Sequence, residues 1–311
     1  MGTADVSKRK AWMMAARPHT QPASASPVIV GSALAFHDGV FALGPAIAAL
    51  LGAVLIQTGT NLANDYFDYE KGVDSEDAPG YVRVTQSGLI PPSQVFGGAV
   101  ASFGVAFLVG IYLVAIGGVP IVVVGLASIA SGFAYSGGPY PIGYHGLGDL
   151  FTFVFFGLIA VTGTYYVQAA SLVTGTFPLW IPPGTVPVEA VVASLPMAAL
   201  ITNILVVNNI RDLEEDERTG KRTLAVLLGY RWSRFEYVAL LILAFAVPFW
   251  FLARPGYGFE VLLPVLSLPL WVGTSRTLLR ETSTEALNPV LERTGKLTAV
   301  YALLFGIGVV V

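Results

Sequence analysis

The sequence predicts an all-α protein that crosses a membrane several times. Hydrophobic residues make up 54% of its 311 residues and charged residues only 12%, whereas an ordinary soluble domain has roughly 25% charged residues. The mean hydropathy is +0.69, and the apolar residues form runs of about 20, the length that an α-helix needs to cross a bilayer. Cysteine is absent, which excludes disulfides, thiolate catalysis and zinc–thiolate sites.

Nine of these runs are candidate membrane-spanning helices. The first is weak because Pro22 and Pro27 lie inside it, and the fourth is short and begins after Gly117 and Gly118. Ahead of them, Lys8–Lys10 and the apolar residues that follow predict a short amphipathic helix on the membrane surface. The nine spans cover roughly residues 20–36, 41–62, 93–116, 119–136, 149–173, 188–208, 233–253, 259–279 and 295–311.

The distribution of positive charge predicts the orientation in the membrane. If the N-terminus is cytoplasmic, all of the 17 lysines and arginines except Arg254 fall on the cytoplasmic side, in agreement with the positive-inside rule. We therefore expect a multi-pass protein of the inner (cytoplasmic) membrane, with the N-terminus and the acidic loops described next in the cytoplasm. Residues 1–311 are treated as one membrane domain, in which 20–136 and 149–279 could form a pseudo-repeat.

A first acidic motif, which contains Asp68, follows the second span. Two further acids, Asp65 and Asp74, lie close to Asp68 in the sequence. Carboxylates this close together repel each other where water is partly excluded, unless cations lie between them. The motif therefore predicts a cation site at the edge of the membrane, and the alternative is a solvated helix end. Four polar residues at helical spacing share one face of this motif: Gln57, Asn61, Asn64 and Asp68.

A second acidic motif follows the sixth span. Asn208, Asp212 and Asp216 are spaced four residues apart and share a helical face, so the two carboxylates point the same way. Two acidic faces, each at the end of a hydrophobic helix, can hold a divalent metal between them. Hard oxygen ligands of this kind suit Mg²⁺, which also binds the phosphates of substrates.

Basic residues lie next to both acidic motifs. Arg83 is part of a loop with glycine and proline that could fold over a phosphate, and Lys221 and Arg222 follow Gly220. We expect Arg83 and Lys221 to contact an anion, whereas the positive-inside rule alone could explain Arg222. Together with Mg²⁺, these cations could neutralise a diphosphate and make it a leaving group.

The loop between the fourth and fifth spans, residues 135–149, is rich in glycine, proline and tyrosine. Its glycines allow a ligand to approach the backbone closely, and its tyrosines, among them Tyr135 and Tyr140, offer hydroxyl groups and ring faces. An ordinary turn is the alternative. We interpret His145 as structural and Asp149 as a cap of the fifth span.

These motifs resemble those of the UbiA family of membrane prenyltransferases over nearly the whole chain. The paired aspartate motifs are specific for the superfamily, and YSGGP and GLGDLF indicate the branch that acts on 1,4-dihydroxy-2-naphthoate. Relatives that act on hydroxybenzoate carry a lysine four residues after the tyrosine, but Pro139 stands there after Tyr135, which makes hydroxybenzoate a less favoured acceptor. The segments that carry the resemblance are Arg17-Pro18, NDYFDYEKGVD at 64–74, RVTQSGLI at 83–90, YSGGPYPIGYHGLGDLFTFVFFG at 135–157 and NNIRDLEEDERTGKRTLAVLLG at 208–229.

The resemblance implies nine transmembrane helices around a central cavity, with a cytoplasmic cap formed by the acidic loops. It also implies transfer of a polyprenyl group from polyprenyl diphosphate to 1,4-dihydroxy-2-naphthoate through an allylic carbocation, with decarboxylation to demethylmenaquinone in menaquinone biosynthesis. Two Mg²⁺ ions would be bound by Asn64, Asp68, Asp74, Asp212 and Asp216. Substrate-binding residues would be Arg17, Asn61, Arg83, Lys221, Arg222, Tyr66 and Tyr140. Catalytic residues would be Asp65, Asp68, Asp212 and Tyr135.

Other functions remain open at this point. Within the family, the acceptor could be homogentisate, 4-hydroxybenzoate or chlorophyllide. A cation-coupled transporter would also carry acids in its helices, but more often near the middle of the bilayer at broken helices, whereas these acids lie at one edge beside basic residues. A CDP-alcohol phosphotransferase would carry a compact D-x-x-D-G motif, which is missing. No nucleic-acid partner is expected.

Overall fold

The protein is built from helices. A computed structural model describes residues 6–72, 83–135, 137–173 and 177–311, and within these ranges it contains no β-strand. The predicted all-α fold is confirmed. In chain order the helices are α1 (Lys8–Ala16), α2 (Gln21–His37), α3 (Leu43–Glu70), α4 (Pro92–Ala134), α5 (Gly148–Val173), α6 (Val188–Arg211), α7 (Leu213–Arg218), α8 (Leu224–Leu252), α9 (Phe259–Arg280) and α10 (Thr284–Val310).

Seven helices of the described residues are long and apolar enough to cross a membrane: α3, α4, α5, α6, α8, α9 and α10. The predicted count of nine is not confirmed, for two reasons. Helix α2 has only 17 residues. Helix α4 has 43 residues, or about 65 Å at 1.5 Å per residue, which is roughly twice the thickness of the hydrocarbon core. It therefore contains both the third and the fourth predicted span.

Helix α4 breaks at Gly118, where the backbone adopts φ 62° and ψ −149°. This left-handed region favours glycine. A Cβ atom at this position would overlap the carbonyl group of Pro178, and the next residue, Val119, donates its backbone N–H to that same carbonyl at 2.9 Å. The break thus divides α4 at the boundary between the third and fourth predicted spans.

The tightest packing surrounds α6, whose membrane window is 72% buried. Its apolar side chains, such as Met197 and Leu200, belong to a core with residues of α2, α5, α8, α9 and α10, including Leu34 and Tyr301. Gly157 of α5 packs directly on Ala198, because small residues allow membrane helices to approach closely. A smaller core joins α1, α3 and α4. The pseudo-repeat of residues 20–136 and 149–279 stays a prediction.

A cavity of about 590 Å³ lies between α2, α3, α4 and α5. Its walls are mostly alanine, valine, isoleucine, glycine and phenylalanine, with Phe151 and Phe155 on α5. Tyr135 lies at the C-terminal end of α4 and lines the cavity there. The last turn of α3 lies near this end of the cavity, since a Cβ atom at Gly137 would lie only 2.7 Å from the ring of Phe67.

Candidate active site

Asp68 lies in the last turn of α3 and is nearly buried. Its Oδ1 accepts a hydrogen bond from the hydroxyl of Tyr144 at 2.8 Å, and its Oδ2 lies 3.5 Å from Nη2 of Arg83. The structure therefore brings together an acid and a base that the sequence predicted as neighbours in one site. An ion pair of this kind offsets part of the cost of placing a carboxylate where water is scarce.

Asp65 holds the segment that carries Arg83. Its side chain is only 2% exposed, and its Oδ2 accepts hydrogen bonds from the backbone N–H of Thr85 at 3.3 Å and from the Thr85 hydroxyl at 2.8 Å. These bonds fix the chain after residue 83 against α3. The contacts of Asp65 are those of an anchor for this segment, and its catalytic role stays a prediction.

Asp212 follows the last residue of α6 and pairs with its neighbour Arg211. Nε and Nη2 of Arg211 lie 2.7 and 2.6 Å from the two carboxylate oxygens, a bidentate geometry that is among the stronger ion pairs in proteins. The same guanidinium donates to the side-chain oxygens of Asn208 at 2.9 Å and of Asn288 in α10 at 3.2 Å. Arg211 was missed at the sequence level, where it was counted only as a cytoplasmic positive charge.

Asp216 lies in the short helix α7 and is also buried. Lys221 Nζ lies 3.2 Å from its Oδ1, whereas its Oδ2 has no hydrogen-bond partner in the described part of the chain. Burial raises the pKa of Asp216 above its usual value, Lys221 acts in the opposite direction, and the negative charges of Asp212 and Asp68 raise it further. The two acidic motifs are therefore close enough to influence each other.

Tyr144 physically connects the two motifs. Its hydroxyl donates to Asp68, and its backbone carbonyl accepts from the N–H of Arg222 at 3.2 Å. Nζ of Lys71 lies 4.6 Å from the centre of its ring, and Nζ of Lys221 lies 5.6 Å from it. The tyrosine-rich loop thus contacts both acidic motifs, but the sequence offered no reason to prefer this tyrosine.

The other predicted aromatic residues lie in different places. Tyr135 lines the cavity, and burial raises the pKa of its hydroxyl, with smaller contributions in the same direction from Asp149, Asp216 and Asp68. Tyr140 is 65% exposed and stacks on His145. Tyr66 is two residues from Asp68, about 200° around α3, and packs against Phe96 with the ring centres 4.8 Å apart.

Asn61 binds the chain that precedes α2. Its amide nitrogen donates to the carbonyl of Ala16 at 3.0 Å and to the hydroxyl of Thr20 at 2.9 Å, and its side-chain oxygen accepts from Gln57 at 3.1 Å. These bonds hold the turn at Arg17, which has a positive φ of 50°, against α3. Asn61 thus positions Arg17, and its own contact with substrate stays a prediction.

Three predicted site residues remain: Asn64, Arg222 and Asp74. Asn64 is half-buried one turn before Asp68, and the side chain of Arg222 is exposed. Asp74 lies outside the described residues. Within the described residues, no three acidic or histidine side chains form a ready-made metal site. Asp68, Asp212 and Asp216 each pair with a basic side chain.

The donor set nevertheless fits Mg²⁺. Carboxylates and the side-chain oxygen of Asn64 are the hard ligands that this ion prefers. The buried Oδ2 of Asp216 lacks a partner among the described residues, and a buried polar atom without one is costly. The cations that neutralise Asp68 and Asp216, Arg83 and Lys221, are also suitable partners for a phosphate group.

Comparison with known proteins identifies the family. The model of the UbiA prenyltransferase family matches residues 24–307. The chain belongs to the UbiA prenyltransferase family.

Several relatives and solved structures resemble this UbiA family member over nearly its whole length. It is 35% identical to the 1,4-dihydroxy-2-naphthoate octaprenyltransferase of Escherichia coli (strain K12), covering 98% of this chain and 96% of that one. It is also 35% identical to the enzyme of the same name from Mycobacterium tuberculosis, covering 94% of each chain. A UbiA homolog from Archaeoglobus fulgidus bound to GPP and Mg²⁺ has a TM-score of 0.61 at 15% identity, covering 96% of this chain and 99% of that one, which shows a shared fold.

Replacing Arg211 by leucine is expected to destabilise the protein strongly. The change leaves the nearly buried carboxylate of Asp212 without its cation, and loss of one partner of such a pair costs about 3–5 kcal/mol. The matched control is Arg218→Leu, because Arg218 also pairs with a carboxylate, that of Glu215, but its side chain is 67% exposed and such a pair contributes about 0–1 kcal/mol. Thermal unfolding in detergent measures both, and equal stability of the two variants would contradict the assignment.

Proposed function

We propose that this UbiA prenyltransferase transfers a polyprenyl group from polyprenyl diphosphate to 1,4-dihydroxy-2-naphthoate with loss of carbon dioxide, giving the hydroquinone form of demethylmenaquinone. The observation that carries the proposal is the meeting of both acidic motifs, through Tyr144, beside an apolar cavity. The relatives named 1,4-dihydroxy-2-naphthoate octaprenyltransferase support the choice of acceptor, because the chain covers nearly their full length.

The polar end of the site would hold the diphosphate. Asn64, Asp68, Asp212 and Asp216, with Asp74, would bind two Mg²⁺ ions. Bound Mg²⁺ would offset negative charge on the diphosphate and so make it a better leaving group. Arg83 and Lys221 would exchange part of their contact with Asp68 and Asp216 for the diphosphate oxygens, and Arg17 would add a third positive charge.

The apolar cavity would hold the prenyl chain. When the allylic C–O bond breaks, its electron pair leaves with the diphosphate, and a carbocation remains on the prenyl group. Water would convert this cation to an alcohol, so the apolar walls protect it. The ring of Tyr135 lies where the cavity meets the acidic motifs, and its face can stabilise the cation electrostatically. The ring carbon that carries the carboxylate then attacks the cation, and departure of that carboxylate as carbon dioxide returns its bonding electron pair to the ring and restores aromaticity.

The test of the function is an assay of purified protein with Mg²⁺, a polyprenyl diphosphate and a set of aromatic acceptors. We expect prenylation of 1,4-dihydroxy-2-naphthoate, little product with homogentisate or 4-hydroxybenzoate, complete loss of product in EDTA and recovery when Mg²⁺ is added in excess. Product formation is followed by mass spectrometry. A preference for another acceptor would contradict the proposed substrate, and full activity in EDTA would contradict the metal.

Replacement of the proposed metal ligands should abolish most activity without unfolding the protein. Asp68→Asn and Asp216→Asn keep the shape of the side chain but remove its charge, and we expect kcat/KM to fall about 100-fold or more, the range seen when one group that stabilises developing charge is lost. Glu70→Gln and Glu217→Gln are the matched controls, because these exposed acids neighbour the two ligands in sequence. Wild-type turnover in Asp68→Asn or Asp216→Asn would refute the assignment.

We also propose that the acidic motifs and the N-terminus face the cytoplasm at the inner membrane, on the basis of the charge distribution. The chain has no cysteine, so single cysteines report the side directly. Glu217 follows α6 and Trp180 precedes it, and both are exposed. A membrane-impermeant maleimide applied to intact spheroplasts should label Trp180→Cys and leave Glu217→Cys unlabelled, whereas inverted vesicles should give the opposite result. Labelling of Glu217→Cys in spheroplasts would reverse the orientation.

A further inference from the structure

Tyr144 is held in a rigid turn. Residues Ile142–Tyr144 form a single 3₁₀ turn, and the N–H of Tyr144 donates to the carbonyl of Pro141 at 3.0 Å. The preceding residue, Gly143, donates to the carbonyl of Tyr135 at 2.9 Å, and the ring nitrogen Nδ1 of His145 lies 2.8 Å from the carbonyl of Pro141. The side chain of Tyr144 therefore starts from a backbone that is fixed on both sides.

We propose that Tyr144 is a positioning residue for the metal-bound diphosphate: it orients Asp68 of the first acidic motif and places Lys71 and Lys221, one from each motif, beside it. This inference rests on the proposed function, because it concerns the same site. It gives a role to a residue that would not itself touch the reacting atoms.

The hydroxyl group acts on Asp68. Because it donates to Oδ1, that oxygen is fixed, and Oδ2 is directed towards Arg83. A ligand carboxylate that is held by a second hydrogen bond loses less freedom when a metal binds. Removing such an outer partner commonly lowers metal affinity about 10- to 100-fold.

The aromatic ring acts on the two lysines. Lys71 directly follows α3, and Lys221 follows α7. The two ammonium groups therefore come from distant parts of the sequence, and they repel each other. The negative face of the ring attracts both, at 4.6 and 5.6 Å from its centre. The ring thus keeps two positive charges next to Asp68 and Asp216, where a diphosphate would be held.

The backbone sets the spacing between the motifs. The carbonyl of Tyr144 accepts from Arg222, and Gly146, with a φ of 71°, lets the loop pass so close to α8 that a Cβ atom would lie 2.7 Å from Cδ1 of Leu227. The hydroxyl, the ring and the carbonyl of one residue therefore make separate contacts, and each can be tested separately.

The test compares Tyr144→Phe, which removes only the hydroxyl, with Tyr144→Leu, which also removes the ring. Binding of geranyl S-thiolodiphosphate, an unreactive diphosphate, is measured by titration calorimetry of detergent-solubilised full-length protein at several Mg²⁺ concentrations. We expect Tyr144→Phe to need about tenfold more Mg²⁺ for half-maximal binding, and Tyr144→Leu to bind the diphosphate more weakly still. In steady-state assays, KM for the prenyl diphosphate should rise while KM for the aromatic acceptor changes less than about twofold.

Tyr69→Phe is the matched control. Tyr69 follows Asp68 directly but is exposed, so the loss of its hydroxyl should leave Mg²⁺-dependent binding and thermal unfolding unchanged. Wild-type binding by a folded Tyr144→Phe protein would overturn the inference while leaving the proposed function intact. Equal losses of affinity in Tyr69→Phe and Tyr144→Phe would overturn it as well. Absence of diphosphate binding by the wild-type protein would overturn both the proposed function and this inference.

Discussion

The structure of the site depends on how negative charge is compensated at the edge of a membrane. Asp68, Asp212 and Asp216 are each nearly buried or half-buried at helix ends, and each pairs with a cation, Arg83, Arg211 or Lys221. Taking a carboxylate out of water is costly unless a partner replaces the lost hydration. The pairs therefore allow these three acids to lie largely out of water at helix ends.

The same pairing has a consequence for ligands. An anion that draws Arg83 and Lys221 towards itself leaves Asp68 and Asp216 with less compensation, and a cation alone must compete with the two bases. When an anion and a cation bind together, each restores the compensation that the other removes. The arrangement thus favours a metal-bound diphosphate over either component by itself.

The sequence predicted those parts of the fold and site that depend on local pattern. Hydrophobic runs predicted a multi-span helical protein, and four-residue spacing placed Asp68 with its motif and Asp212 with Asp216, because a helix repeats every 3.6 residues. It failed where the partner comes from another element. Arg211 donates a hydrogen bond to Asn288, which is 77 residues away in the sequence, and Tyr144 donates one to Asp68, which is 76 residues away. A local sequence pattern cannot link residues that are so far apart in the chain.

Two polar residues show the same limit in another way. Asn61 and Asp65 share the polar side of α3, and the sequence predicted Asn61 as a substrate-binding and Asp65 as a catalytic residue. Their hydrogen bonds to Ala16, Thr20 and Thr85 hold neighbouring segments against α3. Helical spacing predicts which residues share a face but not what packs against it. The predicted count of nine spans is not confirmed for a similar reason, since a single residue, Gly118, breaks α4 where the third and fourth predicted spans meet.

Helix α4 also determines how the interior of the protein meets its surroundings. It lines the cavity through residues such as Ala106 and Val114, but only 17% of its most apolar window is buried within the protein. Much of the surface of this cavity-lining helix therefore faces outward, where the lipid acyl chains would lie. We expect a change in bilayer thickness to act on α4, because helices tilt and bend to match the thickness around them. The volume of the cavity that a hydrophobic ligand can occupy would then depend on the membrane as well as on the protein.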